Sequence, residues 1–424
     1  MIGFLLIGIL RDKSRSLLPM LVVGVGAMLT VFLHCWLTGI MGDSIELSAR
    51  FATGHLKVMT RPYAAEAEQM PNELAIIGVG QLMDELSQTA PDMQWVARIR
   101  FGALLDVPDS LGETRAQGPV TGWALDLLSP GSSEAQRLNL ASALTSGHLP
   151  QQAGQALITH DFATRFAVMP GHRITLMGNT MNGSLAFANF EVAGTVRFGS
   201  SAVDRGGIFI DLRDAQMAFD MRDAAGEVLG FFPKGFYVDA TAQAVQQAFE
   251  AQHNNDTDEY APVMMRLSQQ AGMADYLAYA NTMGSIMVMV FVLAMSVVLW
   301  NAGLLGGLRR YREFGLRLAL GESKGHIYRT LLAEAVLVGT LGSTVGTAVG
   351  LALAFWMQTV GIDLSEMMPN ASLMMPSVAR AAITPPAYGI GFIPGLLSMV
   401  LGNALSGIGI YKRETARLFN ELEV

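Results

Sequence analysis

Long apolar runs alternate with mixed stretches along the chain, and the two kinds of segment predict different elements. Leu17 to Met41 (LLPMLVVGVGAMLTVFLHCWLTGIM) carries no Asp, Glu, Lys or Arg. As a helix of about 25 residues it would reach about 37 Å, enough to cross a hydrocarbon core with some tilt. Asn281 to Leu308 predicts a second span, His326 to Met357 contains a third, and Pro385 to Ile410 predicts a fourth. Between the first two, from Gly42 to about Asp275, no run suits a membrane. Alternation there predicts strands at His55–Met59 and at Gln94–Leu105, with Trp95, Ala97, Ile99 and Phe101 on one face and Gln94, Arg98 and Arg100 largely on the other. Further strands are predicted at Arg173–Met177, Phe190–Phe198, Gly207–Asp211 and Gly235–Val238, and helices at Glu73–Gln88, Ala156–Phe166 and Ala242–Gln252. Gly, Ser and Pro become denser near Pro130–Ser133 and Gly226–Gly235, which predicts an α+β domain of two lobes. The expected fold class is an α-helical membrane protein with four transmembrane helices and a large α+β extracytoplasmic domain inserted between helices 1 and 2.

Charge orients these segments. Arg11, Lys13 and Arg15 precede the first span; Arg309, Arg310, Arg312, Arg317 and Lys324 separate the second from the third; Lys412, Arg413 and Arg417 follow the fourth. Basic residues are retained on the cytoplasmic side, so these flanks place both termini there. The first span is longer than a signal-peptide core and lacks an A-x-A-like site, so it reads as an uncleaved anchor. Residues 42–275 hold 27 acidic and 15 basic residues, a balance of 15 − 27 = −12, as an extracytoplasmic domain would. The resulting plan is a cytoplasmic segment 1–16, spans 17–41, 281–308, 326–357 and 385–410, a cytoplasmic segment 309–325, an outer loop 358–384 and a cytoplasmic tail 411–424. The outer loop keeps only Arg380 as a basic residue between Gly361 and Thr384. Composition agrees: 51% hydrophobic residues, 15% charged and a mean hydropathy of +0.36 exclude an ordinary soluble protein. The one cysteine, Cys35, lies within an apolar run, so no intrachain disulfide can form.

The segment between the second and third spans, LLGGLRRYREFGLRLALGESKGHIYRTLLAEA, is too interrupted by charge to cross a bilayer. Its apolar residues suit a short helix at the membrane surface that could touch a soluble partner, stopped by Gly321 and followed by a Ser323 N-cap. With ILRDKSRSLLPMLVVGVGAML at the start, YREFGLRLALGESKGHIYRTLLAEAVLVGTLGSTVGTAVG here, and the order of one span, a large domain and three spans, the chain resembles the FtsX-like and MacB-like permeases of ABC transporters. Within the external domain, GHLKVMTRPY, VTGWALD and ALITHDFATRFAVMPGHRITLM are similar to the lipoprotein-releasing LolC and LolE permeases of that group. The terminal IYKRETARLFNELEV departs from the family's Pro- and Ala-rich ending.

The resemblance implies a dimer of four-span subunits, as a homodimer or a paralogous heterodimer, above two copies of an ABC ATPase that binds ATP and Mg. It implies a MacB-like periplasmic core of two subdomains and a bacterial inner-membrane location. The ATPase cycle would move the external domain, driving extrusion or membrane extraction of an amphiphilic substrate such as a lipoprotein or lipid. The alternative within the family is an FtsX-like regulator that switches an external effector such as a cell-wall hydrolase. Arg312, Glu313, Phe314, Gly315, Leu316, Arg317, Ala319 and Gly321 match the stretch that carries force between ATPase and membrane in the family.

The residues themselves exclude several activities. There is no G-x-x-x-x-G-K-[ST], so nucleotide phosphates are not cradled by that device and the ATPase must be a separate chain. There is no H-E-x-x-H or CxxC, so neither an enzyme nor a bound cofactor or metal is expected, nor is nucleic-acid binding. Gly342, Gly346 and Gly350 form a small-xxx-small stripe, for packing within the subunit or at a subunit interface. His34 lies near the outer end of the first span, where it can stay neutral. Glu334, one turn inside the third span, is expected to pair with a basic residue of the preceding segment. Met367, Met368, Met374 and Met375 offer soft thioethers, but with no Cys or His beside them they read as an adaptable apolar surface facing substrate or partner.

Overall fold

The computed structural model describes residues 13–109, 111–233, 237–253, 258–270, 273–308, 310–363 and 378–412. They fall into two compact units. One is the region of the apolar helices; the other is Gly42–Ala278.

The second unit is built on a ten-stranded sheet. In chain order its strands and those of a small two-stranded ladder are β1 (Leu56–Thr60), β2 (Ile76–Ile77), β3 (Gln94–Pro108), β4 (Thr114–Leu125), β5 (Leu144–Gly147), β6 (Gln155–Thr159), β7 (Arg173–Asn179), β8 (Leu185–Val196), β9 (Gly207–Asp211), β10 (Ala224–Ala225), β11 (Glu227–Phe231) and β12 (Pro262–Arg266). The order is β12-β1-β11-β3-β4-β9-β6-β8-β5; β7 pairs with both β3 and β8, and β2 pairs with β10. The long β3 is the spine, holding β11 along Gln94–Arg98 and β4 from Ile99 onward. Side chains of β4, β9 and β6 are buried on both faces. Ala124, Ile208, Ile210, Ala156 and Ile158 enter one core, and Trp123, Phe209 and Leu157 the other.

That double burial explains where the sequence pattern misleads. Ala156–Phe166 reads as a helix, but its first part is the strand β6, parallel to β8 and antiparallel to β9, with all five side chains buried; only His160–Arg165 is helical. A strand covered on both sides shows no alternation. The Gly-rich Gly226–Gly235, expected to divide two lobes, instead contributes the interior strand β11 between β1 and β3. Gly230 sits opposite Trp95, whose ring would lie 2.5 Å from an added Cβ. Half of the strand expected at Gly235–Val238 lies outside the described residues, at Gly235 and Phe236; the described Tyr237–Val238 is irregular. Glu73–Gln88 divides into a 3₁₀ turn, the strand β2 and a helix, Val79–Thr89.

In the membrane unit, four helices are long and apolar enough to cross a bilayer: Leu17–Thr53, Thr282–Gly306, Lys324–Thr359 and Ala387–Ile408. They belong to α1 (Lys13–Ser48), α2 (Met273–Leu308), α4 (Lys324–Thr359) and a fourth stretch that ends as α5 (Ser398–Lys412); α3 (Tyr311–Ala319) is the short helix between α2 and α4. The fourth is not a continuous α-helix. After a turn at Ala387–Ile390, a π-helical turn at Ile393–Leu397 precedes α5, at Pro394, which has no N–H to continue the α ladder.

Candidate functional site

The segment between α2 and α4 folds as a compact knob. The chain leaves helical geometry at Arg310, re-enters it as α3, and turns at Gly321 with φ +91, where a Cβ would be strained. Ser323 then caps α4, its hydroxyl accepting from the His326 N–H at 3.4 Å. The short helix expected in this segment is thus α3, set off from α2 by the non-helical Arg310. Spacing divides α3 into two faces. Tyr311, Phe314 and Leu318 pack against Ile327 and Leu331 of α4, and the Tyr311 hydroxyl donates to the Ser406 carbonyl at 2.6 Å. Leu316, Ala319 and Leu320 point the other way, Leu316 at 52% and Leu320 at 80% exposure.

Ion pairs brace the knob at both ends. The Arg310 guanidinium donates to Glu334 at 2.7 Å and to Glu313 at 3.4 Å, so the expected partner of Glu334 is Arg310. Arg317 pairs with Glu322 at 3.1 Å, across the Gly321 turn. Of the other expected residues, Gly315 is buried within α3. The side chain of Arg312 and the whole of Met367, Met368, Met374 and Met375 lie outside the described residues.

The glycine stripe has a direct packing role. Cβ atoms at Gly342 and Gly350 would lie 2.9 Å from the carbonyl oxygens of Met20 and Met28, and one at Gly346 would collide with that of Gly24. The stripe lets α4 lie along α1 of the same chain. His34 Nε2 lies 3.3 Å from the Thr384 hydroxyl near the other end of α1.

A second constellation was not legible in the sequence. At the end of α1 the chain makes a π-helical turn, Ala49–Thr53, whose carbonyls need partners. Arg98 donates to the carbonyls of Arg50 and Phe51 at 2.9 and 3.1 Å, Lys57 to that of Ala52 at 2.8 Å, and Gln270 to that of Thr53 at 2.9 Å. Each donor is held in turn. Arg98 makes a two-pronged pair with Glu134 at 2.6 and 3.2 Å, with both side chains essentially inaccessible, and Lys57 reaches Glu227 at 2.7 Å. Burial pushes the Lys57 ammonium below its usual range, with Glu227 opposing. His55, also buried, accepts the Phe232 N–H on Nδ1 at 2.9 Å and so donates from Nε2 to Glu46 at 2.7 Å. Arg, Lys and Gln thus complement the negative end of α1 from β3, β1 and the segment leading into α2. Alternation placed Arg98 opposite Ile99, but nothing in spacing marks it as covered or points to Glu134.

Residues 285–415 match the FtsX-like permease C-terminal family. That match takes in α3 and the expected coupling residues from Arg312 to Gly321. Among curated proteins, the macrolide export ATP-binding/permease protein MacB of Wolinella succinogenes is 30% identical over 108 residues, 26% of this chain. The match spans only 15% of that protein's length. Among solved structures, the periplasmic region of MacB from Actinobacillus actinomycetemcomitans aligns over 57% of this chain and 95% of its own, at 9% identity and a TM-score of 0.35. A likeness that slight carries no argument.

Proposed function

We propose that the chain is the permease subunit of an ABC transporter, in which a separate ATPase docks on α3 and drives movements of the external domain. Those movements would extrude an amphiphilic substrate, such as a lipoprotein or lipid, or extract it from the membrane. In this reading the protein sits in a bacterial inner membrane with both termini cytoplasmic, and a second permease, identical or paralogous, completes the assembly with two ATPase copies. The observation that carries it is the two-faced α3. Its inner face is locked to α4, so a push on the outer face is delivered to a membrane helix rather than absorbed by a loose loop, and that outer face is an apolar patch within a permease-family domain.

The test is co-purification of ATPase activity with the full-length chain from its native membranes. Leu316→Ser removes the apolar contact without touching the packed face, and at an interface hot spot it is expected to cost about 1 to 3 kcal/mol of docking. Glu313→Arg and Gly321→Pro, which disturb the brace and the turn, are expected to weaken co-purification or to leave ATP hydrolysis uncoupled. Membrane insertion should persist in all three. Undiminished co-purification and coupling across the set would remove α3 from the docking role.

A further inference from the structure

We propose that a cleft beside the end of α1 binds a phosphate group of the kind a phospholipid headgroup carries. The cleft, about 330 Å³, is lined by Glu46, Arg50, Gln94, Ser133, Gln136 and Arg137 and backed by Phe231 and Phe232. The acceptors of Glu46, Gln94 and Ser133 are already committed. The Glu46 carboxylate takes Arg50 Nε on one oxygen at 3.1 Å and His55 Nε2 on the other at 2.7 Å. The Gln94 carbonyl and the Ser133 hydroxyl oxygen accept from Arg137 Nη2 at 2.7 and 3.0 Å. Behind them, Glu134 is occupied by Arg98 and Arg137.

The donors are not used up. The Arg50 terminal amino groups, the Gln94 side-chain amide and the Ser133 O–H remain, and the Arg50 side chain is 45% exposed. Three guanidinium groups, Arg50, Arg98 and Arg137, face two carboxylates, Glu46 and Glu134. The region 42–275, by contrast, is strongly acidic overall. The Arg137 guanidinium, 7% exposed, is fixed over the Phe231 ring at 4.1 Å, so one wall of the site is rigid before any ligand arrives. A donor-rich cleft with excess positive charge calls for a ligand that only accepts, and a phosphate suits a guanidinium fork.

Size and place narrow the class. The volume sits at the lower end for small-molecule sites and suits a headgroup without acyl chains. Glu46 and Arg50 follow the apolar run ending at Met41 by five and nine residues, at most about 14 Å of helical rise. The inference rests on that run crossing a membrane and not on ATP-driven transport.

Calorimetric titration of the full-length protein in mild detergent tests it, using dihexanoylphosphatidylglycerol, dihexanoylglycerol and inorganic phosphate. The phosphatidylglycerol is expected to bind at least about tenfold more tightly than dihexanoylglycerol, and Arg50→Gln to lower that affinity roughly tenfold with thermal unfolding unchanged. Arg50→Glu should abolish it. Inorganic phosphate binding as tightly as the lipid, with the same Arg50 dependence, would retain the phosphate site and overturn the lipid as its source. Equal binding of dihexanoylglycerol, or indifference to both Arg50 variants, overturns the phosphate site itself. No ATPase takes part, so this outcome is independent of the permease proposal.

Discussion

Arg98 shows how much of this protein depends on single covered charges. Its guanidinium holds two main-chain carbonyls and one carboxylate in a place that water does not reach. Removing one member of such a pair leaves the other bare, at a cost of about 3 to 5 kcal/mol, whereas removing both with well-packed apolar groups is far milder. Arg98→Met is therefore expected to destabilise the full-length protein by that amount in denaturant or thermal unfolding. Arg98→Met combined with Glu134→Leu should recover part of the loss, and a single variant as stable as the parent would show that the pair does not hold α1. The sequence places Arg98 correctly on the face opposite Ile99. What it does not reveal is that this face is roofed by the end of α1, because Glu134 is 36 residues away and packing, not spacing, brings it in. Glu334 was more legible: a charge within an apolar helix next to a basic run has few partners to choose from.

At the scale of elements, the glycine stripe separates two kinds of tolerance. Gly346 faces a carbonyl of α1, so Gly346→Leu must push α4 off α1 and is expected to lower the thermal midpoint in detergent sharply. Gly284, in α2, has nothing within 4 Å of an added Cβ, so Gly284→Ala should be neutral or stabilise by up to about 1 kcal/mol through helix propensity. A neutral Gly346→Leu would contradict the close approach of the two helices. Apolar length and small-residue spacing made these helices readable in the sequence. Both strong errors came from elements whose signal is erased by their own burial or composition. β6 is apolar on both faces and so has no period, and β11 contains a glycine that makes room for Trp95 and imitates a linker. The break in the fourth span has a local cause, Pro394, but a proline alone does not say whether a helix kinks or ends.

For the whole molecule, the orientation of its four apolar helices decides whether α3 can meet an ATP-driven partner at all. The basic residues around α3 and those flanking the first and fourth spans argue for one common side, while the acidic Gly42–Ala278 unit argues for the other. Single cysteines in a Cys35→Ala background turn this into a measurement. At Ser14, Ser323 and Thr415 they are expected to be shielded from an impermeant thiol reagent in intact cells and to label after the membrane is opened; at Ser132 and Ser372 they should label at once. Ser323 is the decisive position. It caps α4 directly after the Gly321 turn, with its hydroxyl in use but its residue at the surface of the knob, so accessibility there reports sidedness rather than burial. Labelling of Ser323→Cys in intact cells would put the apolar patch of Leu316 and Leu320 outside, where no ATPase could reach it. Protection there, with labelling at Ser132→Cys, would leave the patch facing the compartment that supplies ATP and the sheet domain facing the one that does not.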